Sequence, residues 1–247
     1  MKTIITHFYN EEFLLPWWLN HHKKYFDSGI MIDYNSTDNS VNIIKSICPN
    51  WKIINSKNEY FSAKAVDNEV MEIEKELSGW KIALNVTEFL FGKYSKLYKT
   101  DVDLIYIPCF YFVDEIKNRI SINKNLPLHE QLFFGIDITE TLNFRGCRLL
   151  HNSIINYPCG RHFRNHSYSD DFIIFNYGFS PMTSEIYKRK LQIQHKIPLK
   201  DKINGLGTEH TGGLDGLTEE KLMVYYEKYK LKSKNLKSQM ETYINYE

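Results

Sequence analysis

Two short polar runs near the amino terminus carry the side chains best suited to binding a polar ligand. Loop 1 (residues 6–12) reads THFYNEE, and loop 2 (residues 33–40) reads DYNSTDNS. Their carboxylate and amide oxygens can accept hydrogen bonds from hydroxyl and N–H groups of a ligand. A second interpretation is that their Asn, Asp, Ser and Thr residues serve only as helix caps and turn formers.

Both loops follow short apolar segments that have strand character. Residues 3–6 precede loop 1, residues 30–32 precede loop 2, and each loop leads into a helical pattern. Strand, polar loop and helix in repeated order are typical of a parallel α/β sheet. Because the carboxyl ends of parallel strands form the ligand crevice in such sheets, the sequence predicts one binding site shared by the two loops.

These loops resemble the opening of a GT-A fold glycosyltransferase of the family 2-like group. The resemblance rests on Asn10-Glu11-Glu12 and Asn35-Ser36-Thr37-Asp38, continues to Glu88-Phe89, where such proteins often carry a DxDEF motif, and extends to about residue 115. It implies a nucleotide-sugar donor, here expected to be a UDP-sugar, and a glycan or other hydroxyl acceptor. It also implies Mn²⁺ or Mg²⁺ on the diphosphate. The expected fold class is α/β, with a GT-A-like, Rossmann-like mixed sheet flanked by helices.

The nucleoside is expected between the two loops. A carboxylate can accept a hydrogen bond from a uracil N–H or from ribose hydroxyls, which makes Asp33 and Asp38 the first choices. The other expected nucleotide-binding residues are Thr6, Tyr9, Glu12 and Asn85.

The acidic metal motif of the family is changed in this sequence. Asn85 and Thr87 stand where the resemblance puts its acidic pair, so Glu88 is the carboxylate that remains. Oxygen ligands suit Mn²⁺ and Mg²⁺, and Glu88 is therefore expected to ligate a metal together with His210 or Asp103. A second interpretation is that Glu88 supports the turn from behind.

A basic loop (residues 158–166) offers another way to neutralise a diphosphate. Arg guanidinium groups match phosphate oxygens, so the loop predicts a phosphate site that needs no metal. The residues expected to bind phosphate are Arg161, His162 and Arg164. The competing interpretation is a solvated basic surface.

An acceptor hydroxyl needs a general base within hydrogen-bond reach. The candidates are Asp171, Asp170 and Glu130, with the glycine-flanked pair Glu209-His210 as a further possibility in a loop that could act as a lid. Two other functions stay open: a GT-A-like protein that binds nucleotide sugars or glycans without turnover, and an interaction module that docks a partner through its tyrosine-rich final helix.

Bulk properties exclude several classes of protein. A net charge of +1 gives no basic field for nucleic acid, and no apolar run approaches the roughly 20 residues of a membrane helix. The chain enters a strand directly after Met1, so we expect no signal peptide and a cytoplasmic location. Without a CxxC pair, the four cysteines are expected to be buried free thiols: Cys48, Cys109, Cys147 and Cys159.

The remaining elements are predicted from apolar periodicity. A long β-like run contains Pro108 and is expected either to bend or to lie at a sheet edge there. The later strands should include antiparallel ones. The predicted solvated faces include His21-His22 on the first helix and Glu69 and Glu74 on the third. Residues 1–217 are expected to form one domain, and residues 218–247 a single helix packed on it.

Overall fold

Two mixed β-sheets form the framework of the protein in the computed structural model, which describes residues 1–99, 101–113, 122–207, 210, 212 and 215–244. The first sheet has the order β3-β2-β1-β4-β9-β6. Its strands are β1 (Lys2–Phe8), β2 (Ser28–Asp33), β3 (Lys52–Asn55), β4 (Trp80–Ala83), β6 (Leu104–Ile107) and β9 (Arg148–His151). The strands β1 to β4 pair in parallel, and β9 runs antiparallel to both β4 and β6.

The second sheet has the order β11-β8-β7-β10-β5. Its strands are β5 (Glu88–Gly92), β7 (Cys109–Val113), β8 (Phe134–Ile136), β10 (Phe172–Phe179) and β11 (Lys234–Asn235). The strands β7 and β10 are parallel, and the other pairs are antiparallel. The predicted mixture of parallel first strands and antiparallel later strands is confirmed, but the strands form two sheets where the sequence predicts one.

Two stretches of chain pass from the first sheet into the second. The strand β4 ends at Ala83, and a turn at residues 85–87 leads into β5. The strand β6 ends at Ile107, and Pro108 separates it from β7. Proline has no N–H to donate to a β-ladder, so the β-like run is interrupted at Pro108. The chain changes sheets there, as the predicted bend requires.

Helices flank the sheets, and the α/β fold class is confirmed. The described α-helices are α1 (Leu15–His22), α2 (Ser40–Ile47), α3 (Ala63–Lys75), α4 (Ile138–Phe144), α5 (Ser184–Gln192), α6 (Leu199–Ile203), α7 (Glu219–Lys230) and α8 (Lys237–Ile244). Short 3-10 helices cover Tyr94–Tyr98, Leu128–Glu130, Cys159–Arg161 and Ile193–Lys196. Within the described ranges, none of the helices has the length and apolar character needed to cross a membrane.

The core lies on both faces of the first sheet. Successive side chains of a strand point to opposite faces, and in β1 Ile4 belongs to a different apolar cluster from Ile5. The Ile4 cluster includes Trp18 of α1 and Phe175 of β10, and thus joins the two sheets. The Ile5 cluster lies under α3, whose Val66 faces it.

The histidine pair of α1 is buried, and its predicted solvated position is wrong. His21 Nε2 lies 2.7 Å from the Leu90 carbonyl oxygen, and His22 Nε2 accepts from the Leu90 N–H at 3.2 Å. Because β5 is an edge strand, the outward N–H and C=O of Leu90 need partners that the sheet does not supply. Burial lowers the pKa of His21 to about 3 and the pKa of His22 well below its usual value.

Two glutamates of α3 are also buried against expectation. Glu69 accepts from the Tyr34 hydroxyl at 3.1 Å and from the Lys57 N–H at 2.6 Å. Glu74 accepts from the Tyr157 hydroxyl at 2.8 Å. These partners come from distant segments, so the local charge pattern of α3 does not reveal them.

The carboxyl-terminal region contains two helices, so the predicted single helix is wrong. The helix α7 ends at Lys230, and β11 then pairs with β8 before α8 begins. Gly135 of β8 permits this approach, because a Cβ there would lie 3.0 Å from Leu236 Cδ1. The prediction for the cysteines holds for three of them, whereas Cys159 is exposed.

Candidate functional site

A cavity of about 450 Å³ opens at the carboxyl ends of β1 and β4. Its wall includes His7 and Tyr9 after β1 and the turn at residues 85–87 after β4. Ligand pockets in proteins commonly measure about 300–1,000 Å³, and α/β folds place them at this edge of the sheet. Both the size and the position are therefore those of a small-molecule site.

A late segment of the chain, residues 184–203, contributes part of the cavity wall. Arg189 Nε donates to Glu11 Oε2 at 2.5 Å, and Gln192 Nε2 donates to the Asn10 carbonyl oxygen at 2.9 Å. Asp201 accepts from the Ala63 N–H at 2.8 Å. These three hydrogen bonds fasten the segment to loop 1 and to the start of α3.

The wall of the cavity is predominantly basic. Its acidic side chains are Glu11, Asp67 and Asp201. Its arginine and lysine side chains are Arg145, Arg148, Arg161, Arg189 and Lys190. Five basic groups face three acidic ones, and the buried Glu88 carboxylate, which pairs with Arg145 and Arg148, offsets a further positive charge. An excess of one positive charge remains, so the cavity is suited to an anion.

Glu88 lies behind this wall and holds two of the arginines. Arg148 donates to its carboxylate through Nε at 3.1 Å and Nη2 at 2.8 Å, and Arg145 Nη2 lies 3.3 Å away. Asn176 Nδ2 and the Asn85 N–H also donate to it. Burial alone would raise the pKa of Glu88, but Arg148 and Arg145 outweigh it and hold the pKa below the usual value.

The implied divalent metal does not fit the residues at this turn. The Glu88 carboxylate is 2% exposed and already accepts from two guanidinium groups. Asn85 and Thr87 offer neutral oxygens, which are poorer ligands for a hard cation than carboxylates. In the described part of the chain, no group of three or more His, Cys, Asp or Glu residues could hold a metal ion.

Arg161 is one of the deeply buried basic residues of the wall, with 4% of its surface exposed. Its Nη1 donates to Asp67 Oδ1 at 2.7 Å, and its Nη2 donates to Asn85 Oδ1 at 3.2 Å. Its Nε is buried and has no hydrogen-bond partner among the described residues. Its φ of 57° is left-handed, a conformation that costs a non-glycine residue about 1–2 kcal/mol.

Two histidines of the wall, His7 and His162, add polar groups whose lowered pKa values keep them neutral at pH 7. Burial lowers the pKa of His7 well below its usual value, and Arg161 and Arg148 lower it further. Burial, followed by Arg148 and Arg145, likewise places the pKa of His162 far below its usual range. His210 lines the same cavity.

The expected nucleotide-binding residues divide into two groups. Tyr9 and Asn85 line the cavity. Four residues do not line it: Thr6, Glu12, Asp33 and Asp38. Thr6 points to the face of β1 opposite His7, because side chains alternate along a strand.

The carboxylates of the two loops are occupied by backbone groups. Asp33 Oδ1 accepts from the Ser36 N–H at 2.9 Å, and Asp38 Oδ2 accepts from the Glu12 N–H at 3.0 Å. Glu12 Oε2 in turn accepts from the Asn39 N–H at 3.0 Å. These contacts bring the two loops together, but they fit the turn-forming interpretation of the three carboxylates. No residue of loop 2 is part of the cavity wall, so the expected binding site shared by both loops is not found there.

The expected general bases lie away from the cavity. Asp171 pairs with Lys96 at 2.6 Å and Lys93 at 3.1 Å at the start of β10. Asp170 and Glu130 are exposed and are not part of the cavity wall. Glu209 lies outside the described residues.

The expected phosphate-binding residues and the candidates to accompany Glu88 at a metal divide between the cavity wall and the exposed surface. Arg161, His162 and His210 line the cavity. Arg164 is exposed, donates to the Phe144 carbonyl oxygen at 3.2 Å and is not part of the wall. Asp103, the other candidate to accompany Glu88, is exposed as well.

Several residues of the wall were not predicted from the sequence, and for one of them, Asp67, the local sequence does indicate burial. Asp67 lies one residue after Val66 on the apolar stripe of α3, and a charge within such a stripe is buried with a partner. Arg189 gave no local signal, because its partner Glu11 is 178 residues away in the chain. Arg145 and Arg148 pair with Glu88, about 60 residues away in the chain, so their positions could not be predicted from local sequence either.

No protein-family model matches the chain, and no curated protein matches it. Solved structures of low similarity align with it. Residues 1–349 of TarS from S. aureus align at a TM-score of 0.41 with 11% identity, covering 79% of this chain and 64% of that one. Glucosyl-3-phosphoglycerate synthase from Mycobacterium tuberculosis, in complex with Mn²⁺, UDP and glucosyl-3-phosphoglycerate, aligns at 0.34 with 11% identity, covering 45% and 44%. The alignments thus span less than two thirds of those chains.

Proposed function

We propose that this protein is a glycosyltransferase that moves a sugar from a nucleotide-sugar donor, a UDP-sugar by our expectation, to a hydroxyl acceptor. The observation that supports this most directly is the basic cavity at the carboxyl ends of β1 and β4. The resemblance of loops 1 and 2 to a glycosyltransferase opening puts the donor at the same edge.

The charges of the cavity suit a diphosphate. Arginine presents several N–H donors in a plane and pairs with two phosphate oxygens at once. When the sugar leaves, negative charge grows on the phosphate, and fixed cations in a site sheltered from water stabilise that charge. The arginines of the wall therefore serve both donor binding and sugar transfer.

Aromatic side chains offer a surface for the nucleobase. Tyr9 and Phe61 line the cavity, and Phe61 stacks on Tyr34 with ring centroids 4.0 Å apart. Base stacking on an aromatic ring tolerates different bases, so we assign the choice of uridine to polar groups near these rings.

The proton acceptor is proposed among the acidic groups of the wall. Glu11 pairs with Arg189 and Asp67 pairs with Arg161, which commits both carboxylates to arginine. Asp201 pairs with no arginine of the described chain and is the carboxylate best placed to accept a proton from the acceptor hydroxyl.

Calorimetric titration tests the proposal. UDP, GDP, ADP, uridine and several UDP-sugars are each titrated into the protein with Mn²⁺ and without it. We expect a nucleoside diphosphate to bind and uridine to bind far more weakly, because the diphosphate supplies the charge. Equal affinity for UDP and uridine, or no nucleotide binding under any condition, would contradict the proposal.

Release of UDP from each UDP-sugar separates turnover from binding alone. An active transferase should hydrolyse its own donor slowly in the absence of an acceptor, and Asp201→Asn should slow that release while leaving UDP affinity within a factor of about 3. Binding without release for every donor of the panel would favour the alternative, a protein that holds nucleotide sugars without turnover.

A further inference from the structure

We propose that the protein binds the diphosphate of its nucleotide without a divalent cation, and that the Arg161 guanidinium occupies the place of the cation. The inference rests on the proposed function, since it concerns the same cavity and ligand. It departs from what the sequence resemblance implies, which is Mn²⁺ or Mg²⁺ on the diphosphate.

The first observation is where Arg161 lies. Asn85 stands at a position that the resemblance assigns to the acidic metal motif, and its Oδ1 accepts from Arg161 Nη2 at 3.2 Å. The side chain that would contact a metal thus contacts a guanidinium instead. Asp67 fixes the same guanidinium at 2.7 Å from the other side.

The second observation is that the Glu88 carboxylate is already occupied by hydrogen-bond donors and is not available to ligate a metal. Its carboxylate accepts from Arg148, Arg145, Asn176 and the Asn85 N–H. Arg148 Nη1 donates hydrogen bonds to the carbonyl oxygens of Gly160 and Arg161, at 2.5 and 3.1 Å. Glu88 therefore anchors, through Arg148, the loop that carries Arg161.

The third observation points to the ligand itself. Arg161 is 4% exposed, and its Nε donor is buried with no hydrogen-bond partner among the described residues. A buried donor without an acceptor is unfavourable, and a phosphate oxygen in the cavity would supply the acceptor. His7 Nδ1, in the same wall, is likewise buried without a partner in the described chain.

The fourth observation is the sign of the surrounding charge. The arginine and lysine side chains of the wall outnumber the carboxylates by one when Glu88, which pairs with Arg145 and Arg148, is counted with the three of the wall. A divalent cation would be repelled by these groups, whereas a diphosphate would be attracted to them. Neutralisation by guanidinium groups therefore suits this wall better than neutralisation by a metal.

The test is UDP titration by calorimetry after dialysis against EDTA, repeated with millimolar Mn²⁺. We expect the two dissociation constants to agree within a factor of about 3. Arg161→Gln should weaken UDP binding in EDTA by roughly 10- to 100-fold, because it removes hydrogen bonds to a charged group. Arg164→Gln, a change to the exposed arginine of the same loop, is the matched control and should bind like the wild type.

A second variant keeps the proposal testable if Arg161→Gln fails to fold. Asn85→Asp puts a carboxylate against the Arg161 guanidinium and should weaken UDP binding in EDTA, while Mn²⁺ should restore part of it. Each variant is checked for a wild-type far-UV spectrum before titration.

The outcomes separate this inference from the proposed function. Wild-type binding of UDP that requires Mn²⁺ would overturn the inference and leave the proposed function in place. Binding in EDTA that is unaffected by both Arg161→Gln and Asn85→Asp would overturn the assignment of Arg161. No nucleotide binding in EDTA or in Mn²⁺ would overturn both the inference and the proposed function.

Discussion

Glu88 and Arg148 form a buried ion pair whose two members depend on each other. Both side chains are at most 4% exposed, and they share hydrogen bonds of 2.8–3.1 Å. Removing one partner of such a pair leaves an uncompensated buried charge, which costs about 3–5 kcal/mol. We therefore expect Glu88→Gln to lower the free energy of unfolding in urea by about that amount, whether or not Mn²⁺ is present. A loss of stability seen only when Mn²⁺ is present would instead indicate a metal ligand, because only then would the wild type gain stability that the variant lacks.

The same pair predicts a dependence of stability on pH. The pKa of Glu88 is held below its usual 4.5 by Arg148 and Arg145, which outweigh burial. A carboxyl group whose pKa is lower in the folded state stabilises the protein fully above the unfolded value, and its contribution is lost as the pH falls through the folded one. The stability difference between wild type and Glu88→Gln should therefore shrink steadily when urea unfolding is measured from pH 5 towards pH 3. A constant difference over that range would be incompatible with this account.

The residues of the site that could be predicted from the sequence are those with local signals. Arg161 and His162 belong to a basic run, and Asn85 follows a predicted strand. Arg189 and Arg148 could not be found in this way, because their carboxylate partners lie 178 and 60 residues away in the chain. Pairing across such distances depends on the fold itself.

At the scale of the elements, α3 begins with help from another segment. Its N-cap residue, Ser62, makes no side-chain capping bond, and Asp201 Oδ2 accepts from the Ala63 N–H at 2.8 Å. Loss of a capping acceptor typically costs about 0.5–2 kcal/mol. We expect Asp201→Ala to destabilise the protein by about 1 kcal/mol in urea unfolding, and Asp201→Asn, which keeps an oxygen acceptor, to cost less. Equal losses for Ala and Asn would show that the cap does not contribute.

Elements with continuous local patterns could be predicted, and elements that depend on partners could not. The apolar run at residues 172–179 predicts β10 with the bounds that the structure shows, Phe172–Phe179. The strand β11 is only two residues long, and its pairing with β8 interrupts what the sequence predicts to be one helix. The burial of His21 and His22 follows in the same way from the unpaired groups of Leu90.

At the scale of the whole molecule, the two sheets are joined by chain and by core. The segments β4–β5 and β6–β7 each pass from one sheet to the other, and one apolar cluster includes residues of both sheets. We therefore expect a single cooperative transition in urea, with coincident curves from far-UV circular dichroism and tryptophan fluorescence. All four tryptophans report on that cluster, because each belongs to it or packs against it. Two separate transitions would show that the sheets unfold independently.

The cavity wall combines residues from loop 1 with residues 184–203, so the wall can form only late in synthesis of the chain. Tyr9 emerges from the ribosome early, yet its hydroxyl lies 3.3 Å from Nε2 of His195, which is made 186 residues later. Synthesis proceeds at roughly 5–20 residues per second, so the first strands wait on the order of ten seconds or longer for this wall. The cavity is incomplete during that interval. A ligand that needs the complete cavity would therefore stabilise the finished fold and would not guide the nascent sheet towards it.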